Sequence, residues 1–467
     1  MARLIVALLL CAVGAWGAPR PNFVVVFIDD LGWGDFGCFG GKDARTPEVD
    51  RLAAEGRRFT QFYVNSPICS PSRCALLTGQ YPQRWRITSY LNNRADNDRR
   101  GLAQWLDPKA PTLARTLKEA GYATGQFGKW HLGGQRDVDD APAITAYGYD
   151  ESLTNFEGMG PKLLPLTLRP GEEKPGRIWA DAERLGGPAK WTLRSEITTG
   201  FVDAAAAFID RSAAAGRPFF VTVMPDDVHS PFWPPVADFR DGKRGLYLAV
   251  LESMDRQLGR LFAKIRADAR LRENTVILLC SDNGPEPGAG TAGHLRGHKT
   301  QIYEGGIRSP LVVWSPGLMK CAPGGTDESS ILAAFDLAPS LARLAGARHA
   351  DADGEDASAA LLGAAVHRRA KPLVWRRPPD RKNWPPALPE SQPDLAIRDG
   401  RWKLLCDFDG SGARLHDLET DPSESRDLAK AEPAVADRLT KAVLEWHRSM
   451  PQDAALGPAK AAVKKKR

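Results

Sequence analysis

Two short polar segments stand where apolar runs of the sequence end. Asp29 and Asp30 follow the run Phe-Val-Val-Val-Phe-Ile, and Asp282 and Asn283 follow Val-Ile-Leu-Leu-Cys-Ser. Carboxylate and amide oxygens are the donors that hard cations such as Ca²⁺ or Mg²⁺ prefer. Each segment alone also fits a solvated loop or an Asn-Gly turn. Their joint position at the ends of apolar runs indicates one metal site built from oxygen donors.

A cysteine with polar neighbours, Cys69, begins the run Cys-Ser-Pro-Ser-Arg. Pro71 suits the first turn of a helix, so Cys69 is expected near a helix N-terminus, where negative charge is favoured. Arg73 lies one turn later, and its planar guanidinium can hold an anion. As a plain thiol, Cys69 would be a nucleophile with a lowered pKa. The alternative is a buried structural cysteine beside a turn.

Basic side chains recur in three further loops. Lys129 and His131 lie two residues apart after a strand-like segment, so both can face one side and offer a cation and a titrating base. His229 follows another apolar run, and Lys299 lies in the segment Leu-Arg-Gly-His-Lys. A lone histidine or lysine in a loop is usually only solvated. These four residues therefore indicate a site only in combination with Cys69 and the acidic segments.

The elements that must position these residues alternate between strands and helices. This alternation predicts an α/β fold with a mostly parallel central sheet covered by helices on both faces, and sites in such sheets form at the carboxyl ends of strands. Buried strands are predicted at 23–28, 219–224, 275–281 and 311–314, and helices at 46–56, 112–120 and 247–265. After about residue 370, segments at 395–397, 402–406, 414–418 and 435–446 predict a small antiparallel sheet with one packed helix.

Composition narrows the class of protein. The chain of 467 residues is 43% hydrophobic and 26% charged, which fits neither a disordered nor a membrane protein. Its net charge of +6 falls to +1 once Arg3 and the four basic residues at 464–467 are set aside, so no nucleic-acid partner is indicated. The apolar run 4–13 is too short to span a bilayer, and with Arg3 before it and small residues after it a cleaved signal peptide is predicted.

Taken together, these segments resemble the formylglycine-dependent sulfatase family of the alkaline-phosphatase-like superfamily. The run from Cys69 to Arg73, continuing to Leu77-Thr78-Gly79, matches the family's first signature, and 121–131 matches its second. The resemblance extends over nearly the whole chain. It is also carried by Asp29-Asp30, Thr46-Pro47, Leu52-Ala53, Ser281 to Gly284, Glu304-Gly305-Gly306 with Arg308, Arg401 to Leu404 and Leu415 to Leu418.

The resemblance implies a particular nucleophile and cofactor. Cys69 would be oxidised to formylglycine by a formylglycine-generating enzyme, and one hydroxyl of the hydrated aldehyde would attack sulfur. The second hydroxyl would then lose its proton and expel sulfate, so that no water need attack the covalent sulfate. The metal would be Ca²⁺, with Mg²⁺ as the alternative, and its ligands would be Asp29, Asp30, Cys69, Asp282 and Asn283.

The resemblance also implies roles for the basic residues. Arg73 would steady the diol on its metal side, and His131 would be the base for elimination. Lys129 and Lys299 would neutralise the sulfate oxygens, and His229 would bind sulfate or protonate the leaving oxygen. The family's hydroxyl contact to sulfate stays open among Ser152, Thr154 and Asn155. Val228, Tyr149, His298 and Ser309 depart from the residues that are common in the family.

The segment 83–100, rich in arginine and aromatic residues, favours a sulfated carbohydrate over a simple aryl sulfate; its alternative is an ordinary exposed loop. Two rival functions remain: a phosphate-ester or phosphonate hydrolase on the same scaffold, and a non-catalytic protein that binds sulfated glycan with unconverted Cys69. The expected domains are a signal peptide (1–17), a sulfatase catalytic domain (18–369), a C-terminal α+β subdomain (370–458) and a basic tail (459–467). Export to a periplasm, the extracellular space or a secretory or lysosomal lumen is predicted, without a membrane span.

Overall fold

The computed structural model describes residues 20–134, 137–155, 158–178, 187–381 and 392–453. The predicted signal peptide and basic tail lie outside these residues. Within them, none of the helices combines the length and apolar character that crossing a membrane requires.

The strands alternate with helices along the chain, as the sequence predicts. In chain order they are β1 (Asn22–Ile28), β2 (Arg57–Tyr63), β3 (Ala123–Gly128), β4 (Glu151–Leu153), β5 (Lys162–Thr167), β6 (Gly176–Arg177), β7 (Ala189–Leu193), β8 (Phe219–Met224), β9 (Thr275–Ser281), β10 (Arg308–Trp314), β11 (Gly325–Asp327), β12 (Leu332–Ala333), β13 (Leu373–Arg376), β14 (Leu395–Asp399), β15 (Trp402–Cys406) and β16 (Arg414–Asp417).

The main sheet has the strand order β11-β2-β10-β9-β1-β8-β3-β4, and β12 also pairs with β2. The strands β9, β1, β8, β3 and β4 run parallel, whereas β10 is antiparallel to both β9 and β2. The sheet is therefore mostly parallel, as predicted. Because β10 runs in the opposite direction, its first residue lies at the same end of the sheet as the last residues of β9 and β1. The polar loops lie at this end of the sheet.

Helices cover both faces of this sheet. They are α1 (Pro47–Glu55), α2 (Cys69–Thr78), α3 (Arg94–Arg99), α4 (Leu113–Glu119), α5 (Ile197–Ala214), α6 (Gly242–Ala267), α7 (Ala269–Asn274), α8 (Glu304–Ile307), α9 (Leu337–Leu344), α10 (Ser358–Leu361) and α11 (Pro433–Ser449). Alternate residues of β1 enter two cores: Val24, Val26 and Ile28 pack with α1, α5 and α6, and the residues between them pack with α2, α4 and α9.

A separate antiparallel sheet of β13-β14-β15-β16 forms the C-terminal part of the fold. Leu439 and Val443 of α11 pack on it, and the same core includes Tyr63 of β2 and Tyr303 beside α8. The predicted C-terminal sheet and helix are thus confirmed, and the structure adds that they pack directly on the main body. A small sheet of β6-β5-β7, which the sequence did not predict, lies beside α5.

Candidate active site

The ends of two neighbouring strands, β1 and β9, bring four polar side chains together. The backbone N–H of Asp30 donates to Oδ1 of Asp282 at 3.2 Å, and Nδ2 of Asn283 donates to Oδ1 of Asp30 at 2.7 Å. Asp29 lies in the same cluster, and all four side chains have no solvent exposure. The convergence predicted from the two strand ends is therefore present in the structure.

Cys69 and Arg73 of helix α2 lie at this cluster. Cys69 is the first residue of the helix and is 2% exposed. One turn later, Nη2 of Arg73 donates to Oδ2 of Asp282 at 2.8 Å and lies 3.7 Å from Oδ2 of Asp29. The fully buried guanidinium thus binds carboxylates of the protein itself.

The prediction that Cys69 is a thiol of lowered pKa is wrong. Burial raises the pKa of the Cys69 thiol to about 12, and the nearby Lys129 offsets only part of that rise, while Asp29 adds to it. The helix N-terminus was expected to favour the thiolate, but desolvation of the charged form dominates here. The unmodified thiol is therefore a poor nucleophile in this setting.

Lys129 and His131 enter from the end of β3. Nζ of Lys129 lies 2.5 Å from Oδ2 of Asp29, and its backbone N–H donates to the carbonyl of Met224 at 2.8 Å. Nε2 of His131 lies 3.1 Å from the carbonyl oxygen of Leu91. Burial and the neighbouring Lys129 hold the pKa of His131 well below its usual value, so its imidazole is neutral and able to accept a proton.

His229 and Lys299 complete the ring of basic side chains. Nε2 of His229 lies 3.7 Å from Oδ2 of Asp30, and Nδ1 lies 2.7 Å from the carbonyl oxygen of Ser230. Nζ of Lys299 donates to Oδ2 of Asp30 at 2.6 Å. Burial and Lys299 lower the pKa of His229. The predicted metal and catalytic candidates thus lie together in one cluster, which is buried except for His229, whose side chain is 32% exposed.

The acidic residues carry the signs of a cation site. Ligand atoms of Asp29, Asp30 and His229 lie within 4.8 Å of one another. Oδ1 of Asp29 and Oδ1 of Asn283 are buried and accept no hydrogen bond from the described residues. A buried acceptor without a donor is costly, and oxygen donors of this kind suit Ca²⁺ or Mg²⁺. The donor set therefore fits a hard divalent cation.

The buried carboxylates and cations of the active-site cluster shift one another's pKa values. Burial and the Asp29 carboxylate raise the pKa of Asp282 well above its usual value. Burial would also raise the pKa of Asp29, but Lys129 and the other cations hold it well below its usual value. Three carboxylates in one buried space repel one another, and a positive ion among them would relieve that repulsion.

Sequence reasoning missed a supporting group behind His229. Nη1 of Arg194 lies 2.6 Å from Oδ1 of Asp226, and Nδ2 of Asn155 donates to Oδ2 of the same carboxylate at 2.9 Å. The backbone N–H of His229 donates to the carbonyl of Asp226 at 3.1 Å. Asp226 follows β8 as Asp29 follows β1, so its position at a strand end was the available signal. The amide of Asn155 therefore binds Asp226 and helps to hold the segment that precedes His229.

The arginine-rich segment 83–100 lies beside the site, because the backbone N–H of Leu91 donates to Oγ of Ser70 at 3.0 Å. Four of its five arginines, however, form ion pairs with carboxylates of the protein. The ion pairs are Arg84–Asp353 at 2.6 Å, Arg94–Asp140 at 2.5 Å, Arg99–Asp96 at 3.4 Å and Arg100–Asp380 at 3.2 Å. The structure does not support the expectation that these four guanidinium groups are held ready for substrate sulfates.

The chain is similar to known proteins in both sequence and structure. The family model described as Sulfatase matches residues 21–347. The chain is 33% identical to N-acetylgalactosamine-6-sulfatase of Canis lupus familiaris, covering 80% of this chain and 72% of that protein. It is 32% identical to arylsulfatase A of Homo sapiens, covering 93% and 84%. The crystal structure of Ps i-CgsB in complex with k-i-k-neocarrahexaose superposes with a TM-score of 0.76 at 26% identity, covering 91% of this chain and 92% of that one.

Proposed function

The chain belongs to the sulfatase family, with its alkaline-phosphatase-like fold, and we propose that this sulfatase acts on sulfated carbohydrates through a nucleophile made from Cys69. The observation that carries the proposal is the position of Cys69 at the start of a buried helix, among three carboxylates, Arg73 and two lysines. This surrounding has the charges that a sulfate ester and a hard cation require.

We propose that Cys69 is converted to formylglycine by a formylglycine-generating enzyme. The raised pKa of the Cys69 thiol supports this, because a buried thiol that resists ionisation is a weak nucleophile. Formylglycine supplies a hydrated aldehyde with one hydroxyl for attack on sulfur and a second for release of sulfate by elimination.

The metal site is proposed to hold Ca²⁺, with Mg²⁺ as the alternative. Its protein ligands would be Asp29, Asp30, Asp282 and Asn283, with the oxygen that conversion creates at Cys69. Oδ1 of Asp29 and Oδ1 of Asn283, which are buried and accept no hydrogen bond from the described residues, support this assignment. The cation would supply Lewis acidity and a template for the ester oxygens.

The basic residues have separate proposed tasks. Lys129 and Lys299 hold the sulfate oxygens, because both ammonium groups are buried at the carboxylate cluster and carry charge into a site of low dielectric. His131, neutral through burial, takes the proton of the second hydroxyl. Arg73 holds Asp282 and Asp29 in place. His229, on the other side of Asp30, binds sulfate or gives a proton to the leaving alcohol.

The proposed substrate class is a sulfated carbohydrate. Support comes from the relatives: one is named for N-acetylgalactosamine-6-sulfate, and a similar structure holds k-i-k-neocarrahexaose. The test is a panel of sulfated monosaccharides and oligosaccharides assayed beside 4-nitrophenyl sulfate, a phosphomonoester and a phosphonate at equal concentration. We expect a sulfated sugar to have the highest kcat/KM. A preference of several orders of magnitude for 4-nitrophenyl sulfate or for a phosphorus ester would contradict the proposal.

Conversion of Cys69 is tested separately by mass spectrometry of the peptide that contains it, from protein made in its native host. The expected peptide has lost the sulfur of Cys69 and reacts with an aldehyde reagent, while Cys74 in the same helix keeps its thiol. A peptide carrying only the intact Cys69 thiol would favour a non-catalytic, glycan-binding role.

The proposed location is outside the cytoplasm, in a periplasm, the extracellular space or a secretory or lysosomal lumen. The basic start and short apolar run of residues 1–17 support export. N-terminal sequencing of the mature protein should begin at Ala18. A mature chain that begins at Met1 would contradict cleavage.

A further inference from the structure

A second buried charge cluster joins the C-terminal sheet to the loop that carries Lys299. Its centre is Lys403 of β15, whose Nζ lies 2.9 Å from Oε1 of Glu304 and 2.9 Å from Oε1 of Glu424. The three side chains have no solvent exposure. One ammonium group therefore joins two carboxylates that come from different parts of the chain. We call this the Lys403 cluster.

The remaining carboxylate oxygens of the Lys403 cluster are also occupied. The hydroxyl of Tyr63 donates to Oε2 of Glu304 at 2.6 Å, and the backbone N–H of Glu304 donates to Oε2 of Glu424 at 2.6 Å. Arg398 of β14 contacts the hydroxyl of Tyr63. Buried charges that are fully paired hold one geometry, since any displacement leaves a desolvated charge without its partner. Glu304 is thus fixed through both its side chain and its backbone.

Glu304 begins the Glu-Gly-Gly turn at the start of α8, and this turn packs closely against two loops of the active site. The backbone N–H of Gly305 donates to the carbonyl of Arg296 at 2.6 Å, and the N–H of Gly284 donates to the carbonyl of Gly306 at 2.9 Å. A Cβ atom on Gly306 would overlap the carbonyl oxygen of Gln301. The turn therefore touches both the loop of Lys299 and the segment that follows Asn283.

The loop of Lys299 is anchored on several sides, and next to Lys299 the backbone N–H of Thr300 donates to the carbonyl of Pro67 at 2.7 Å. The backbone N–H of Lys299 donates to the carbonyl of Pro285 at 3.0 Å, and its Nζ reaches Oδ2 of Asp30 at 2.6 Å. On the C-terminal side, Nη1 of Arg296 donates to the carbonyl of Glu424 at 3.2 Å. The loop is consequently held between the metal-site carboxylates and the Lys403 cluster.

We propose that Lys403 is a positioning residue for the sulfatase reaction, which acts through Glu304 and Glu424 to fix the loops that present Lys299 and Asn283. The inference rests on the proposed role of Lys299 in holding sulfate. It assigns a task to the C-terminal sheet: a charged residue of that sheet sets the geometry of the sulfate site without touching it.

The test compares Lys403→Met with the wild type, using the full-length, converted enzyme well below its unfolding temperature. We expect kcat/KM for 4-nitrophenyl sulfate to fall at least about tenfold, because small displacements of a binding group are costly in rate. We also expect the inhibition constant for inorganic sulfate to rise by a similar factor. A purely structural role would leave that constant unchanged, because the molecules that remain folded would keep an intact site.

Two variants make the outcome decisive. Arg401→Met, on the same hairpin but with a guanidinium that is 41% exposed in its pair with Asp417, should keep both constants within about twofold of wild type. Glu424→Gln keeps the size of the side chain and should shift both constants in the same direction as Lys403→Met but less, which maintains the test if Lys403→Met does not fold. Unchanged constants in folded Lys403→Met, or in Glu424→Gln when Lys403→Met is unfolded, would overturn the inference.

Lys299→Met separates this inference from the function on which it rests. If Lys299→Met raises the inhibition constant for sulfate and Lys403→Met does not, the positioning role is wrong and the sulfate site stands. If Lys299→Met leaves the constant unchanged, the proposed role of Lys299 is wrong, and the positioning role falls with it.

Discussion

The molecule contains two fully buried clusters of charge that differ in how their oxygens are satisfied. In the Lys403 cluster, three of the four carboxylate oxygens of Glu304 and Glu424 accept a hydrogen bond, and the fourth, Oε1 of Glu424, lies 2.9 Å from Nζ of Lys403 in an ion pair. In the active-site cluster, Oδ1 of Asp29 and Oδ1 of Asn283 accept no hydrogen bond from the described part of the chain. Every carboxylate oxygen of the first cluster thus has a partner within the protein, whereas the two oxygens of the second have none among the described residues, which supports the proposed cation.

This difference shows how one fold uses buried charge for two purposes. A fully paired cluster contributes a single geometry, and removing one partner is costly because the others are left unpaired. A cluster with unpaired acceptors stabilises the fold less, but its open oxygens can bind a ligand. Substitutions in the active-site cluster should therefore act mainly on activity, whereas those in the Lys403 cluster should lower folding stability and, through the loop of Lys299, also weaken sulfate binding.

The largest expected effect is on activity at the active-site cluster. Cys69→Ala should lower kcat for sulfate-ester hydrolysis by at least about 10⁴-fold, because the nucleophile is lost. Cys74→Ala is the matched control, since Cys74 is buried on the same helix but packs in the apolar core. Circular dichroism should show both variants folded. Residual activity of Cys69→Ala within tenfold of wild type would mean that Cys69 is not the source of the nucleophile.

The next effect is on stability at the Lys403 cluster. Lys403→Met should lower the free energy of unfolding by about 3–5 kcal/mol, because two buried carboxylates lose their shared counter-charge. Urea denaturation measures this, with Arg401→Met expected to change stability by at most about 1 kcal/mol. If Lys403→Met loses no more unfolding free energy than Arg401→Met, the Lys403 cluster stabilises the fold no more than the Arg401–Asp417 pair does.

The third effect concerns the open oxygens. Ca²⁺ at 100 times its Kd should raise the free energy of unfolding of the wild type by about 2.7 kcal/mol over the chelated protein, because Asp29 and Asn283 then gain a partner. Asn283→Ala should lose most of that gain. Asn22→Ala, at the opposite end of β1, should retain it. Unfolding curves of the wild type that coincide with Ca²⁺ and with chelator would contradict a cation site.

Per pH unit, the smallest effect is the pH dependence of stability that the Lys403 cluster causes. Burial and Glu304 raise the pKa of Glu424 to about 7, although Lys403 opposes the shift. The native state then holds a proton between about pH 4.5 and 7 that the unfolded chain has released, so stability falls as pH rises through that window. The slope is at most about 1.4 kcal/mol per pH unit. Subtracting the profile of Glu424→Gln should isolate this slope, and parallel profiles for the two proteins would refute it.

The sequence predicts most of the main sheet because its central strands are continuous apolar runs. It misses β2, whose sequence Arg-Arg-Phe-Thr-Gln-Phe-Tyr mixes charged and apolar residues and is only partly buried. It also misses β13, which has four residues and follows Pro372. Short or mixed strands owe their place to pairing with distant neighbours, and that pairing is invisible in a local pattern.

The candidate site shows the same division. Residue types and their positions at strand ends are enough to predict that Asp29 and Asp282 converge, and the resemblance to the sulfatase family adds Cys69 to them. The pKa of Cys69 is predicted with the wrong sign, because the helix N-terminus is a local feature whereas burial is a property of the whole fold. Likewise, Asp226 follows a strand as Asp29 does, but only its contact with Arg194 reveals that it supports His229.

By itself the sequence indicated the fold class, through its alternating strands and helices, and the family and candidate site residues, through motifs that resemble those of known sulfatases. The tertiary structure decided which charges are paired and which oxygens stay open. Arg73 binds Asp282 across 209 residues and Lys403 binds Glu304 across 99, and no local pattern specifies such partners. Desolvation then determines the consequence, because a charge that water would screen at the surface must find its partner when it is buried.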